Sequence, residues 1–224
     1  MTDLVISLGT NCEIAFNVRN TFQTERAYPF DWWITPIQAV PAILRDRFAL
    51  DVAAHNLVHG GELTSIMNRK YGLLHHHDFG HISADVADES WKALIPTVAE
   101  KYRALGERFF ADVARAQDVL FVVNGDGNHR AYVARRPFDE TVYLEVLATL
   151  RALFPHTRSR LAIFNSVHEP FAAAYKAAAA DRDILVGPVV KDYGDRREKS
   201  LFAKSLCGWS EALRAVHSRL QSAA

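Results

Sequence analysis

The sequence is short of cysteine, has no excess of charge of either sign and contains no long apolar run. Its two cysteines, Cys12 and Cys207, lie far apart in a chain of 224 residues and follow no zinc-like spacing. This argues against a disulfide framework or a structural zinc site and favours a reducing compartment. Lysine and arginine number 26, as do aspartate and glutamate, so no overall field would gather nucleic acid or an anionic membrane.

Segments that would export the chain or insert it into a membrane are also lacking. An acid, Asp3, stands where a secretory signal would be basic, and too few apolar residues follow it. No apolar run approaches the roughly 20 residues that span a bilayer. We therefore expect a soluble cytoplasmic protein that binds neither nucleic acid nor membrane. The sequence leaves its oligomeric state open.

Four short apolar runs alternate with helical patterns along the chain. The first three runs are continuous, which is typical of strands covered on both faces. We predict strands over residues 4–8, 119–123, 161–164 and 184–186, and helices over 13–21, 36–48, 89–114, 139–153, 170–180 and 210–220. This rhythm predicts a single α/β domain over residues 1–224. Its expected architecture is a three-layer αβα fold, Rossmann- or flavodoxin-like, with a mostly parallel sheet.

Residues 49–88 interrupt that rhythm and hold the histidine excess. Six of the ten histidines lie there: His55, His59, His75, His76, His77 and His81. The segment shows little periodicity, and a long irregular insertion in a compact domain is more often functional than idle. We predict an irregular, histidine-rich insertion that contributes to the site.

The first strand-to-helix junction carries a candidate nucleophile, Cys12. The thiol is expected at a helix N-terminus on the carboxyl edge of the sheet, where open α/β folds bind ligands. Unpaired helix N–H groups there favour the thiolate and predict a lowered cysteine pKa. Gly9 would allow a tight turn, and Thr10 or Asn11 could cap the helix. The alternative is a small buried cysteine beneath a capped helix.

Two further clusters could complete such a site. Asp31 lies among aromatic residues beside Trp32, and a carboxylate there needs a specific partner such as a backbone amide, an arginine or a histidine. His77 and Asp78 follow one another in the insertion. An imidazole there could act as a general base, with the carboxylate fixing its tautomer.

Three motifs in this order carry a resemblance to a known family. Residues 6–12 (ISLGTNC), 29–32 (PFDW) and 77–79 (HDF) resemble a bacterial family labelled "putative papain-like cysteine peptidase" (domain of unknown function 1796). The resemblance implies that Cys12 is the nucleophile, that His77 is the base, and that Asp31 or Asp78 orients the imidazole. Strands and helices alternate to the end of this chain, so we do not expect a true papain fold.

Other polar residues follow the predicted strands. Asn124 follows the second run, and either Asn124 or Asn128 could donate to an oxyanion, which leaves a flavodoxin-like, serine-hydrolase-type esterase as an alternative. Asn165 and His168 follow the third run, and His168 is an alternative base. Asn165 could equally cap the next helix.

Metal and cofactor chemistry have weak support in the sequence. His77 and His81 would share a helix face, but Gly80 disfavours a helix through them, and no dinucleotide fingerprint follows the first strand. We expect neither metal nor cofactor, and a small-molecule, peptide or glycan-linked substrate. The chain could instead be a non-catalytic module that binds a small polar or glycan-like ligand through Asn11, Asp31, Trp32 and His77.

Overall fold

The computed structural model describes residues 3–9, 12–49, 54–60, 65–80, 88–124, 139–164, 172–188 and 201–222. The strands are β1 (Leu4–Ser7), β2 (Trp33–Ile34), β3 (Leu57–His59), β4 (Ile66–Asn68), β5 (Leu73–His75), β6 (Asp118–Asn124), β7 (Arg158–Phe164) and β8 (Ile184–Val186). The α-helices are α1 (Cys12–Phe22), α2 (Val40–Arg45), α3 (Ile95–Arg115), α4 (Glu140–Leu153), α5 (Ala172–Ala180) and α6 (Leu201–Ser222).

A parallel four-stranded sheet in the order β1-β6-β7-β8 forms the centre of the fold. Every residue of β6 is buried, because helices cover both faces of the sheet. Leu120 and Val122 pack with α1 and α6, whereas Phe121 and Val123 point to the opposite core beside α3, α4 and α5. The predicted α/β class and the helix layers on both faces are confirmed. The closer Rossmann or flavodoxin likeness stays a prediction.

The helices follow the predicted positions, with three differences. The helix predicted over residues 89–114 is a 3-10 helix (Ser90–Leu94) followed by α3, which begins at Ile95. Residues 36–48 were predicted as one helix, and the structure has a short 3-10 turn (Ile37–Ala39) followed by α2. The last helix, α6, begins at Leu201 rather than near residue 210. No helix in the described ranges is both long and apolar enough to cross a membrane.

A second sheet, antiparallel and in the order β2-β5-β4-β3, lies where an irregular insertion was predicted. Three of its strands fall within residues 49–88, and none is longer than three residues. Strands this short carry too few residues for a visible alternation of apolar and polar side chains, which is why the sequence did not reveal them. In this sheet Trp33 of β2 stands opposite His75 of β5.

Candidate functional site

The carboxyl edge of the parallel sheet places two predicted residues together. Gly9 follows β1 with φ at 96°, a left-handed conformation that favours glycine. Its carbonyl accepts a hydrogen bond from the backbone N–H of Asn124 at the end of β6, at 3.3 Å. Asn124 is buried, and this hydrogen bond joins the ends of β1 and β6 beside the start of α1.

Cys12 is the first residue of α1 and is a half-buried free thiol. The helix packs against α6, in which Trp209 Nε1 donates to a carboxylate oxygen of Glu13 at 3.2 Å. The predicted position of the thiol, at a helix N-terminus on the sheet edge, is therefore confirmed.

The expected lowering of the thiol pKa is wrong. Burial raises the pKa of Cys12 above its usual value, and the carboxylates of Glu13 and Asp31 add to this. A backbone hydrogen bond and the charge of Arg19 oppose the rise without cancelling it. Desolvation thus outweighs the helix N-terminus here. The thiol is protonated at neutral pH and would need a base to become a nucleophile.

Asp31 lies within electrostatic reach of this thiol and ends a 3-10 turn (Pro29–Asp31). Its Oδ2 accepts the backbone N–H of Tyr28 at 3.0 Å, which is one of the partners that the sequence predicted for a carboxylate among aromatics. Burial raises the pKa of Asp31 to about 7, against the opposing effects of the Tyr28 amide and the Arg19 charge. Asp31 therefore changes protonation near neutral pH, within electrostatic reach of Cys12.

A second group of polar side chains surrounds Asp78. His75 Nδ1 lies 2.9 Å from Asp78 Oδ2, and both side chains are fully buried. The hydroxyl of Tyr102 donates to the same oxygen at 2.5 Å, and Lys101 Nζ lies 2.7 Å from Oδ1. Burial works to raise the pKa of Asp78, but the contacts from His75, Lys101 and Tyr102 outweigh it and hold the pKa below its ordinary value. Asp78 is therefore an ionised carboxylate at neutral pH.

The direction of the His75–Asp78 hydrogen bond follows from this arrangement. An ionised carboxylate only accepts hydrogen bonds, so Nδ1 of His75 donates to Asp78 and Nε2 is the ring nitrogen that remains. Nε2 is buried and has no hydrogen-bond partner among the described residues. The ring is enclosed by aromatics, with centroids 5.9 Å from Trp33, 5.4 Å from Phe79 and 5.6 Å from Tyr102. An imidazole fixed by a carboxylate, with its other nitrogen bare, has the form of a general base.

His77 does not occupy this position. It is exposed, and its ring packs against that of His76 at 4.6 Å. His76 Nδ1 in turn lies 3.1 Å from Ser65 Oγ. The imidazole that contacts Asp78 is thus two positions earlier than the predicted pair. No signal in the sequence separated the two histidines, because residues 73, 75 and 77 would share one face of an extended strand and only the end of β5 at His75 keeps this ring in the core.

Trp32 links the two groups of side chains. Two cations lie over its half-buried indole, with Lys101 Nζ 4.4 Å and the Arg19 guanidinium carbon 5.7 Å from the ring centroid. Arg19 belongs to α1, whereas Lys101 belongs to α3 and contacts Asp78. The predicted residues Cys12, Asp31, Trp32 and Asp78 are therefore connected through the charges of Arg19 and Lys101.

Several predictions fall elsewhere or cannot be placed. Some of the predicted residues lie outside the described ones, namely Thr10, Asn11, His81, Asn128, Asn165 and His168. Within the described ranges, Cys12 Sγ forms no hydrogen bond with an imidazole nitrogen. In the same part of the chain, no three histidine, cysteine or acidic side chains are grouped as metal ligands.

A protein-family model matches residues 3–125, which is more than half of the 224 residues. The match includes all three motifs that carried the resemblance, together with His75, Lys101 and Tyr102. No curated protein and no solved structure matches the chain. The family predicted from the motifs is confirmed. The chain belongs to the family described as "putative papain-like cysteine peptidase (DUF1796)".

Proposed function

We propose that the chain is a cysteine-dependent hydrolase or acyl or amide transferase, with Cys12 as the nucleophile. The observation that carries the proposal is the His75–Asp78 pair, in which a carboxylate orients an imidazole whose Nε2 has no hydrogen-bond partner among the described residues. Membership of the family supports the same reaction class. We propose a small-molecule, peptide or glycan-linked substrate and a reducing, cytoplasmic setting.

The reaction would proceed by acyl transfer through sulfur. A base removes the Cys12 proton as the sulfur attacks the substrate carbonyl, and the resulting oxyanion is stabilised by backbone amides at the start of α1. Collapse of the intermediate gives a thioester, and the leaving amine or alcohol takes the proton back from the base. Water or an acceptor amine then attacks the thioester and regenerates the thiol. The raised pKa of Cys12 makes the base necessary.

We assign the base to His75 in preference to His77. His75 has the orienting carboxylate, and the β2 segment that follows Asp31 pairs with the β5 strand that ends at His75. His77 and His168 remain the candidates predicted from the sequence. Asp31 is then free to hold a proton beside the thiol rather than to orient the imidazole.

A p-nitrophenyl ester provides a general test of acyl transfer. We expect release of p-nitrophenol to accompany an acyl adduct that intact-mass and peptide analysis assign to Cys12. Cys12→Ala should abolish the adduct. Cys207→Ala, which replaces the other of the two cysteines in the sequence, should retain it. His75→Gln should slow acylation by about 100-fold or more, while His77→Gln should leave it unchanged. The opposite result for the two histidine variants would transfer the role of base to His77.

A non-catalytic binding module is the second candidate, favoured by the raised pKa of Cys12 and the lack of a described imidazole contact at its sulfur. The ester assay separates the two. A wild-type protein that remains folded, forms no adduct at Cys12 and releases p-nitrophenol no faster than the Cys12→Ala variant would favour the binding module.

A further inference from the structure

The turn after α2 has an unusual backbone. The N–H of Arg47 donates to Leu44 O at 3.0 Å and that of Phe48 donates to Ile43 O at 3.1 Å, which together form a Schellman helix end. Arg47 and Phe48 both have positive φ, 52° and 57°. The position of Arg47 is the one that favours glycine, so an arginine there adopts a conformation that costs free energy. Backbone strain of this kind is concentrated at binding sites.

A cavity of about 260 Å³ lies between this turn and α3. Its lining combines three aromatic residues, Phe48, Tyr102 and Phe110, with charged and small residues. Gly106 of α3 allows the two elements to approach, since a Cβ at this position would lie 2.9 Å from Phe48 Cβ. The cavity has the volume of a small organic molecule rather than of a peptide segment.

The two arginines at the cavity differ in their contacts with acidic side chains. Arg103 contacts Glu100 and Glu107, with Nη2 to Oε1 of Glu100 at 2.6 Å and Nη1 to Oε1 of Glu107 at 2.5 Å, so these three side chains satisfy one another. The Arg47 guanidinium lies over the ring of Phe110, with its central carbon 4.0 Å from the centroid. It is exposed, and no acidic side chain in the described ranges forms an ion pair with it.

We infer that this cavity is a binding site for a small anion that carries a flat apolar group, such as an arylacetate. The carboxylate would contact the exposed edge of the Arg47 guanidinium, which offers paired N–H donors. The apolar part would pack against the aromatic residues of the lining. The site is separate from the thiol, but Tyr102 both lines the cavity and contacts Asp78.

Three probes test the two parts of this ligand class in the full chain. Phenylacetate has both the anion and the ring, phenylacetamide replaces the anion by a neutral amide, and acetate lacks the ring. We expect phenylacetate to shift the backbone amide NMR signals of Arg47 and Phe48, and to bind roughly fivefold to tenfold more tightly than either of the other two. Equal binding of phenylacetamide, equal binding of acetate, or no binding of phenylacetate would overturn the inference.

Two substitutions of the same residue separate binding from folding. Arg47→Gln removes the charge, and Arg47→Gly also supplies the residue that the backbone conformation favours. Both should lose the preference for phenylacetate over phenylacetamide, and Arg47→Gly should keep a cooperative thermal transition. Arg115→Gln, at the exposed far end of α3, is the matched control and should bind like the wild type. A preference that survives in both Arg47 variants would show that this arginine does not bind the anion.

Discussion

The buried carboxylate of Asp78 should be worth several kilocalories per mole of stability. Asp78→Asn keeps the shape of the side chain but removes the charge that His75, Lys101 and Tyr102 all contact. Breaking one partner of a buried, hydrogen-bonded charge pair costs about 3–5 kcal/mol. Lys101 is one-third exposed, with 34% of its side chain accessible, so solvent screens its share. We therefore expect a loss of about 3 kcal/mol, near the lower end of that range.

Thermal unfolding followed by circular dichroism measures this loss. For a chain of this size each kilocalorie per mole lowers the midpoint by about 2–4 °C, so the variant should unfold about 10 °C below the wild type. Glu100→Gln is the control, since Glu100 pairs with Arg103 on the exposed face of the same helix, and its midpoint should not change measurably. A drop in the Asp78→Asn midpoint of less than about 3 °C would refute the argument from burial.

The pH dependence of the same difference gives a second check. The folded-state pKa of Asp78 lies below its ordinary value, so its stabilisation is present above the unfolded pKa and is lost as the pH falls through the folded one. The unfolded pKa is about 3.9. The gap between the wild type and Asp78→Asn should be constant from pH 6 to 8 and should narrow below about pH 4. A gap that stays constant down to pH 2 would mean that the ionised carboxylate is not its source.

Three other substitutions or reactions have definite expected outcomes. Asp31→Asn keeps an acceptor for the Tyr28 amide and removes a carboxyl whose pKa is about 7. Because this pKa is raised by folding, the wild type should lose stability as the pH rises from about 4 to 7, and the variant should not. Equal pH profiles of the unfolding midpoint in the two proteins would contradict this. Alkylation of Cys12 by iodoacetamide should accelerate only above the pH at which the alkylation of a free cysteine peptide accelerates, because burial raises the thiol pKa. A half-maximal rate below pH 8 would show that the helix N-terminus dominates. Gly106→Ala places a methyl group 2.9 Å from Phe48 Cβ and should destabilise the fold by about 1–3 kcal/mol in urea unfolding, so an unchanged midpoint would mean that the turn after α2 moves freely.

The parallel sheet could be predicted because burial on both faces leaves a local trace. β1, β6 and β7 are continuous apolar runs, and the helices between them keep their spacing over two or more turns. The antiparallel sheet left no such trace, because strands of two or three residues are stabilised by their neighbours rather than by a pattern of their own.

The candidate site could also be predicted only in part from the sequence. The position of Cys12 followed from a strand, a glycine and a helix that are adjacent in the sequence, and the need of Asp31 for a partner followed from its apolar neighbours. The choice between His75 and His77 did not, since adjacent histidines are chemically alike and only the β5 strand decides which one faces the core. The direction of the Cys12 pKa was wrong for a similar reason. A helix N-terminus is visible in the sequence, whereas the desolvation that outweighs it is not.

The sequence by itself determined the family, the α/β class and the place of the thiol at the sheet edge. It also determined the order along the chain of the parallel strands and of the helices between them. Each of these depends on residues that are close in sequence or on apolar runs that record their own burial. Only the tertiary structure decided which imidazole contacts Asp78, which charges surround Trp32, and that Arg47 faces a cavity beside α3. Those contacts join residues from α1, β2, β5 and α3, or from the turn after α2 and α3, and their free energies depend on distance and desolvation in the folded chain.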